Sequence, residues 1–140
     1  MVPHAGVVNL LLSARGRYSP DAAAVCGVPT PYVFDVSVYN IFASLVVHCG
    51  TCRLLPDGSS LATLTDADEL TRVAAVPSIL AIARLPPSVK HVEVGGEALT
   101  QSAVESVAAG VPIYNYYGPT EVAIWCMRRL VVRDELPRLK

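Results

Sequence analysis

The octapeptide Tyr114-Asn115-Tyr116-Tyr117-Gly118-Pro119-Thr120-Glu121 concentrates several chemistries in one short stretch. An aromatic ring offers a flat face on which a nucleobase can stack, worth about 1–3 kcal/mol per base. The Asn115 carboxamide can pair with an adenine-like edge. Gly118 and Pro119 make a turn that lets backbone approach a ligand. The Thr120 hydroxyl can reach a phosphate oxygen. Glu121 supplies a hard carboxylate oxygen of the kind magnesium takes alongside substrate phosphates. The same residues also read as an exposed turn carrying an acid at a helix start, and the residue types alone leave both readings open.

Two further segments carry chemistry. Val92 to Leu99 reads Val-Glu-Val-Gly-Gly-Glu-Ala-Leu, with two glycines between a strand and a helix where backbone can touch a ligand. No Gly-Lys-Ser/Thr follows, so it is not a Walker loop. Asp35 lies in the apolar run Phe34-Asp35-Val36-Ser37-Val38-Tyr39-Asn40-Ile41-Phe42. A carboxylate in apolar surroundings tends to be paired, because isolated buried charge is costly. Asp35 therefore either binds a cation, such as a substrate ammonium, or caps a helix. Cys49-Gly50-Thr51-Cys52 has the spacing of a redox pair or half a zinc site. A structural zinc site takes four ligands, and no second pair or suitably spaced histidine accompanies it. Cys26, Cys49, Cys52 and Cys126 are read instead as small core residues.

These segments need elements to hold them. The patterning predicts a helix over 5–15, ended by Gly16, then a Gly- and Pro-rich loop over 16–32 with a short helical turn at 21–25. A helix follows over 36–49, capped by Asp35 or Ser37 and stopped by Gly50. Strands are expected at 51–55, 71–76, 91–94, 111–116 and 122–132, with helices at 78–84 and 100–109. Residues 59–70 read as a polar helical stretch or loop. The alternation of strands and helices predicts an α/β fold in layers around a largely parallel sheet. In such sheets ligands sit beyond the carboxyl ends of the strands. Two of the three chemical segments fall at strand ends.

Composition narrows the partners. The 140 residues are 52% hydrophobic and only 16% charged, with a net charge of −1. That excludes intrinsic disorder and argues against general nucleic-acid binding, which needs a basic surface. No stretch reaches the roughly 18–20 apolar residues that span a bilayer. The start lacks a secretory pattern, so a cytoplasmic setting is expected. So greasy a short chain reads as interior taken from something larger, with apolar surface exposed when it stands alone.

Taken together, the three segments resemble the adenylation domains of nonribosomal peptide synthetases, within the adenylate-forming (AMP-binding) superfamily. Phe34-Asp35-Val36-Ser37 is similar to that family's Phe-Asp-x-Ser segment. Gly95-Gly96-Glu97-Ala98-Leu99 is similar to its Gly-Gly-Glu-Ala-Leu loop, and Asn115 to Glu121 to its Asn-x-Tyr-Gly-Pro-Thr-Glu core motif. Pro3 to Asn9 resembles the stretch after the family's phosphate loop, and Ala75-Val76-Pro77-Ser78 another common segment. The likeness covers residues 1–127. The charged residues 128–140 form a tail outside it.

The resemblance implies a layered parallel-sheet piece of the large N-terminal domain of an adenylate-forming enzyme. It also implies a reaction: an amino-acid carboxylate attacks the α-phosphate of ATP, giving an aminoacyl adenylate and pyrophosphate. The acyl group then passes to the phosphopantetheine thiol of a carrier domain. On matching positions, Asp35 would hold the substrate ammonium, and Gly95, Gly96 and Glu97 would line the cleft. Asn115 and Tyr117 would hold adenine, Thr120 the α-phosphate and Glu121 the magnesium ion. The substrate pocket would be formed by Asp35, Val36, Tyr39, Ala74, Glu93, Gly95, Tyr116, Ile124 and Trp125. Three bulky rings would shrink it. Glu93 would favour a substrate with a polar or cationic side group, unless it points away. The family's phosphate loop, hinge and small C-terminal domain with its lysine do not resemble anything within these residues. A fragment without adenylation activity of its own is therefore expected. A piece of an acyl-CoA synthetase-like ligase, or a noncatalytic remnant, are the alternatives.

Overall fold

The structure is a computed structural model that describes residues 2–17, 21 and 23–134. Six strands form one sheet: β1 (Val25–Val28), β2 (Thr51–Leu54), β3 (Arg72–Ala75), β4 (His91–Gly95), β5 (Ile113–Tyr117) and β6 (Met127–Leu130). Their spatial order is β2-β1-β3-β4-β5-β6. The first five run parallel, and β6 returns antiparallel to β5. The helices are α1 (His4–Arg15), α2 (Asp35–Phe42), α3 (Pro77–Leu80) and α4 (Gln101–Glu105). The expected α/β class and parallel sheet are thus present.

Successive residues of a strand point to opposite faces, and the register sorts the sheet into two different surfaces. Val73, Ala75, Val92, Val94 and Ile113 share one face. They pack with Leu61, Leu70, Leu80, Val89, Ala103, Val104 and Val107 into a wholly apolar core beneath α3 and α4. The opposite face presents Cys26, Arg72, Ala74, His91, Glu93, Tyr114 and Tyr116. Over it lie α1 and α2, whose Leu10, Ala14 and Tyr39 form a second cluster with Ala43, Val47 and Ile124.

Several elements differ from the sequence expectation, each for a local reason. Val25–Val28 is a strand where the sequence predicts a loop and a helical turn. Gly27 and Pro29 look like turn residues, yet the segment pairs with a strand on either side and is buried. The loop residues 18–20 and 22 lie outside the described residues. Neither Asp35 nor Ser37 caps α2. Phe34 stands at the cap, and the Ser37 hydroxyl donates to the carbonyls of Phe34 (2.7 Å) and Tyr32 (3.0 Å). Past Phe42 the helix widens into a π-helical turn, Ala43–Val47. There the Ser44 hydroxyl donates to the Asn40 carbonyl at 2.6 Å, a back-bond that bends helices. The chain then turns at Cys49, which takes the left-handed conformation (φ 56°). Gly50 serves close packing, since a Cβ there would meet the Ala24 carbonyl.

Helices α3 and α4 are one turn long rather than two or three. After α3 the backbone N–H of Arg84 donates to the Leu61 carbonyl at 2.8 Å. Residues 59–70 fall largely in two 3-10 turns, Gly58–Ala62 and Asp66–Asp68. The cysteines are all free, and Cys26 alone is fully buried; Cys49 and Cys126 are exposed. The core assignment therefore fits Cys26 and not those two. As expected for so apolar a chain, much apolar surface is open, including Tyr32, Val33, Phe34 and Leu54. Among the described residues no helix is long and apolar enough to cross a membrane.

Candidate functional site

Beyond the carboxyl ends of β1, β3, β4 and β5 the chain leaves the sheet through four loops. A cavity of about 560 Å³ opens among them. The β1 exit contributes Pro29, Thr30 and Pro31, and the start of α2 contributes Phe34, Asp35 and Val36. The β3 exit contributes Ala74 and Val76, the β4 exit Gly95, Gly96 and Glu97, and the β5 exit Gly118, Pro119 and Thr120. This is where ligands sit in open parallel sheets.

The sequence-predicted residues divide into three groups. Asp35, Val36, Ala74, Glu93, Gly95, Gly96, Glu97, Tyr116, Thr120 and Trp125 line the one cavity. Tyr39 and Ile124 lie buried behind its wall, and Tyr39 meets Tyr116 with ring centroids 6.0 Å apart. Asn115, Tyr117 and Glu121 stand outside the cavity wall. Asn115 is half-buried, Tyr117 is 65% exposed and Glu121 is exposed.

Among the described residues, the Asp35 carboxylate has no hydrogen-bond or ion-pair partner. It faces a cavity whose lining is mainly carbon. Glu93 also faces that cavity, but it is held from behind. The Tyr116 hydroxyl donates to its Oε1 at 3.3 Å, and His91 Nε2 lies 3.4 Å from the same oxygen. His91 stacks on Tyr114, whose ring carries the Arg128 guanidinium at 3.6 Å. Behind Glu93 a void of about 20 Å³ is lined by Cys26, Asn40, Ser44, His48 and Arg72, room for a single water. Burial, reinforced by the Arg72 charge, pushes His48 down to about 4, so it is neutral at pH 7. Burial also raises the Cys26 thiol, which leaves it a poor nucleophile.

Backbone geometry delivers the aromatic wall. Ala123 (φ 64°) and Ile124 (φ 78°) both take left-handed conformations. For a β-branched residue that is strained. The turn sends Ile124 into the α1–α2 cluster and brings Trp125 to the cavity. The indole fills the space a side chain at Gly95 would need: a Cβ there would lie 2.8 Å from Trp125 Cη2. Tyr116 completes the wall 5.5 Å from Trp125.

Sequence reasoning missed Ser78. Its backbone N–H and its hydroxyl both donate to the Glu97 carboxylate, each at 3.0 Å. The available signal was Pro77, which marks a helix start and so leaves the next amide without a helical partner. The polar group behind Glu93 was also missed; Arg72 and His91 inside otherwise apolar strands were its trace.

Comparison with known proteins bears on this site. The family model described as AMP-binding enzyme matches residues 1–139. Apicidin F synthase of Gibberella fujikuroi is 33% identical over 136 residues, covering 91% of this chain and 3% of that protein. Malpinin synthetase of Mortierella alpina is 33% identical over 135 residues, 89% of this chain and 2% of the relative. The chain therefore spans only a few per cent of the length of these curated relatives. Among solved structures, the adenylation domain AlmE of Vibrio cholerae, in complex with glycyl-adenosine-5'-phosphate, aligns with a TM-score of 0.82 at 24% identity. The match covers 94% of this chain and 27% of that one.

Proposed function

The chain belongs to the AMP-binding enzymes, and from that membership we propose that its cleft is part of a site that activates an amino acid with ATP. A carboxylate oxygen of the amino acid bonds to the α-phosphorus. The bond from that phosphorus to the bridging oxygen breaks, and its electron pair leaves with pyrophosphate. The product is an aminoacyl adenylate, whose acyl group then moves to the phosphopantetheine thiol of a carrier domain. A cytoplasmic setting and an absence of nucleic-acid partners belong to the same reading, as does a partial adenylation domain over residues 1–127 followed by a tail over 128–140.

The observation that carries it is Asp35: a carboxylate without a partner among the described residues, on the wall of a largely apolar cavity. Such a group is satisfied by a cation with hydrogen-bond donors, and an α-ammonium supplies both. A carboxylic acid lacking that ammonium would leave the charge unmet, which disfavours an acyl-CoA synthetase-like role. Val36, Ala74, Tyr116 and Trp125 form the sides of the substrate chamber, backed by Tyr39 and Ile124. Glu93 within it favours a substrate with a polar or cationic side group. Gly95 and Gly96 bring backbone close to the ligand, Asn115 and Tyr117 take the adenine, and the Thr120 hydroxyl takes the α-phosphate.

Magnesium fits the donor set in one way. Among the described residues no group of three or more His, Cys, Asp or Glu is placed to cage a metal ion. An ion that arrives on nucleotide phosphates needs only one or two protein carboxylates, and Glu121 beside Thr120 is exposed and suited to that. When bound, the ion would neutralise phosphate charge. The chain's own contribution is to orient two reactants and surround them with fixed dipoles.

Because residues 1–140 alone are expected to be inactive, the test is ATP–pyrophosphate exchange by a polypeptide that carries these residues together with a phosphate loop and a C-terminal domain, across the amino acids and a set of acids without an α-amino group. Magnesium-dependent exchange confined to amino acids is expected. Exchange with the acids alone would refute the proposal.

A further inference from the structure

Glu97 is the residue whose place in the cleft differs most from its apparent purpose. It lines the cavity, yet its carboxylate reaches toward protein. Oε2 accepts the Ser78 backbone N–H and Oε1 accepts the Ser78 hydroxyl, both at 3.0 Å. The two residues are 19 apart in sequence and lie on the exits of adjacent parallel strands. Those exits form facing parts of the cavity wall, Val76 and Ile79 on one side and Gly95 and Gly96 on the other.

We propose that Glu97 is a positioning residue that staples the Gly95-Gly96 loop to the first turn of α3, setting the distance between these two walls of the cleft. The inference rests on the amino-acid-activating reading of the site.

The loop needs such a tie. Two consecutive glycines carry the largest backbone freedom available to a chain, and Gly96 uses it, at φ +87°. A loop that approaches a ligand through its backbone cannot also wander by an ångström, because misplacement on that scale costs about a hundredfold in rate. The anchor is firm. Leu80 of α3 is fully buried, and its carbonyl accepts the Ser106 hydroxyl at 2.7 Å. Ile79 packs against Gly58, where a Cβ would lie 2.9 Å from Ile79 Cδ1. The donor is available too. Pro77 opens α3, and the Ser78 amide is among those that a helix start leaves unmet. A bidentate charge-assisted pair joins the glycine loop to this fixed point.

The alternative role for Glu97 is direct contact of its charge with ligand, and substitutions separate the two. Glutamine can still accept the Ser78 N–H and can donate to the Ser78 hydroxyl, but it has no charge. The experiment compares Glu97→Gln, Glu97→Ala, Ser78→Ala and the Glu97→Ala/Ser78→Ala double variant in ATP–pyrophosphate exchange by the same longer polypeptide, which carries these residues together with a phosphate loop and a C-terminal domain. Amide hydrogen exchange at Ser78 is measured in parallel. The staple predicts a rise of about tenfold or more in KM for Glu97→Ala and for Ser78→Ala, with a double variant no worse than either single one. Glu97→Gln is impaired at least about threefold less than Glu97→Ala. Ser78 amide protection is lost in Glu97→Ala and kept in Glu97→Gln. Damage in Glu97→Gln equal to that in Glu97→Ala, with Ser78→Ala unimpaired, overturns the staple while leaving amino-acid activation standing. Absence of exchange in the unsubstituted protein overturns the activation reading, and the positioning role with it.

Discussion

The two faces of this sheet are made from the same strands and are built on opposite terms. One face holds Val73, Val92, Val94 and Ile113 in a cluster of apolar side chains without an ionisable group. The other presents Arg72, His91, Glu93, Tyr114 and Tyr116, and ends in the cleft. Burial of apolar area stabilises the first at about 25 cal/mol per Å². On the second, part of that gain is offset by burying polar groups that must find partners. The difference teaches where the two kinds of surface reside: the α3–α4 side is packed apolar core, and the α1–α2 side carries the polar groups that run into the candidate cleft.

The comparison can be broken most sharply at Asp35. Its carboxylate has no hydrogen-bond or ion-pair partner among the described residues, so Asp35→Ala should leave the stability within about 0.5 kcal/mol of the unsubstituted protein in urea titrations. Exchange activity should fall by about a thousandfold, roughly 4 kcal/mol, as expected when a desolvated charge loses its partner. A large loss of stability with activity retained would place Asp35 among the structural residues instead.

The converse substitution lies on the apolar face. Leu80 is fully buried in that core. Leu80→Ala should cost about 2–5 kcal/mol of stability through lost transfer and a residual cavity. Its KM values, measured well below the unfolding transition, should change little. A variant with normal stability would mean the core had collapsed around the void and that this face is less tightly packed than its burial implies.

How much of this is legible in the sequence also divides by face. The apolar strands announce themselves, because β-branched runs bounded by Gly and Pro have few other readings, and the pattern bounds β2, β3, β4 and β5 within about two residues. Strand β1 is hidden by Gly27 and Pro29, whose turn character yields to pairing on both sides. The cleft residues are legible as motifs in their order along the chain: Asp35, the Gly95-Gly96-Glu97 turn, Tyr116 and Thr120 do meet. What lies out of reach is pairing at a distance. Nothing local to Glu97 points to Ser78, and nothing local to His48 reveals that α2 unwinds into a π-helical turn that buries it near Arg72. Periodicity also overstates α3, where the Arg84 N–H goes to the Leu61 carbonyl, and α4, where the Val104, Val107 and Ala108 carbonyls accept the Arg133 guanidinium.

His48 gives the pH signature of the polar face. Its ordinary value is 6.5, and burial lowers it to about 4 in the folded protein. Between those values the unfolded chain binds the proton and the folded one does not. Stability from this group is complete above about pH 6.5 and is lost as pH falls toward 4, by at most roughly 1.4 kcal/mol per pH unit. His48→Gln should flatten that slope when urea midpoints are compared across pH 4–7. The carboxylates of Asp57, held low mainly by the Ser59 hydroxyl, and of Asp68, held low mainly by the Thr65 backbone N–H, titrate below this window in the folded protein. They are common to both proteins and cancel in the difference. An unchanged slope would show that His48 is not the group responsible.

The smallest effect discriminates most finely, because it uses two residues of one strand. Ile113 faces the apolar core, and Tyr116, three residues on, faces the cleft. Ile113→Val removes one methylene and should cost about 0.5–1.5 kcal/mol. Tyr116→Phe removes the hydroxyl that donates to Glu93 and should cost a similar amount, about 1 kcal/mol. Matched in stability, the two should differ in function. Ile113→Val should keep the relative exchange rates of different amino acids, whereas Tyr116→Phe frees the Glu93 carboxylate from one of its donors and should shift them toward side chains that donate hydrogen bonds. Equal profiles for both variants would mean that the Tyr116–Glu93 contact serves the sheet alone, and the division of labour between the faces would then begin nearer the cavity mouth than Glu93.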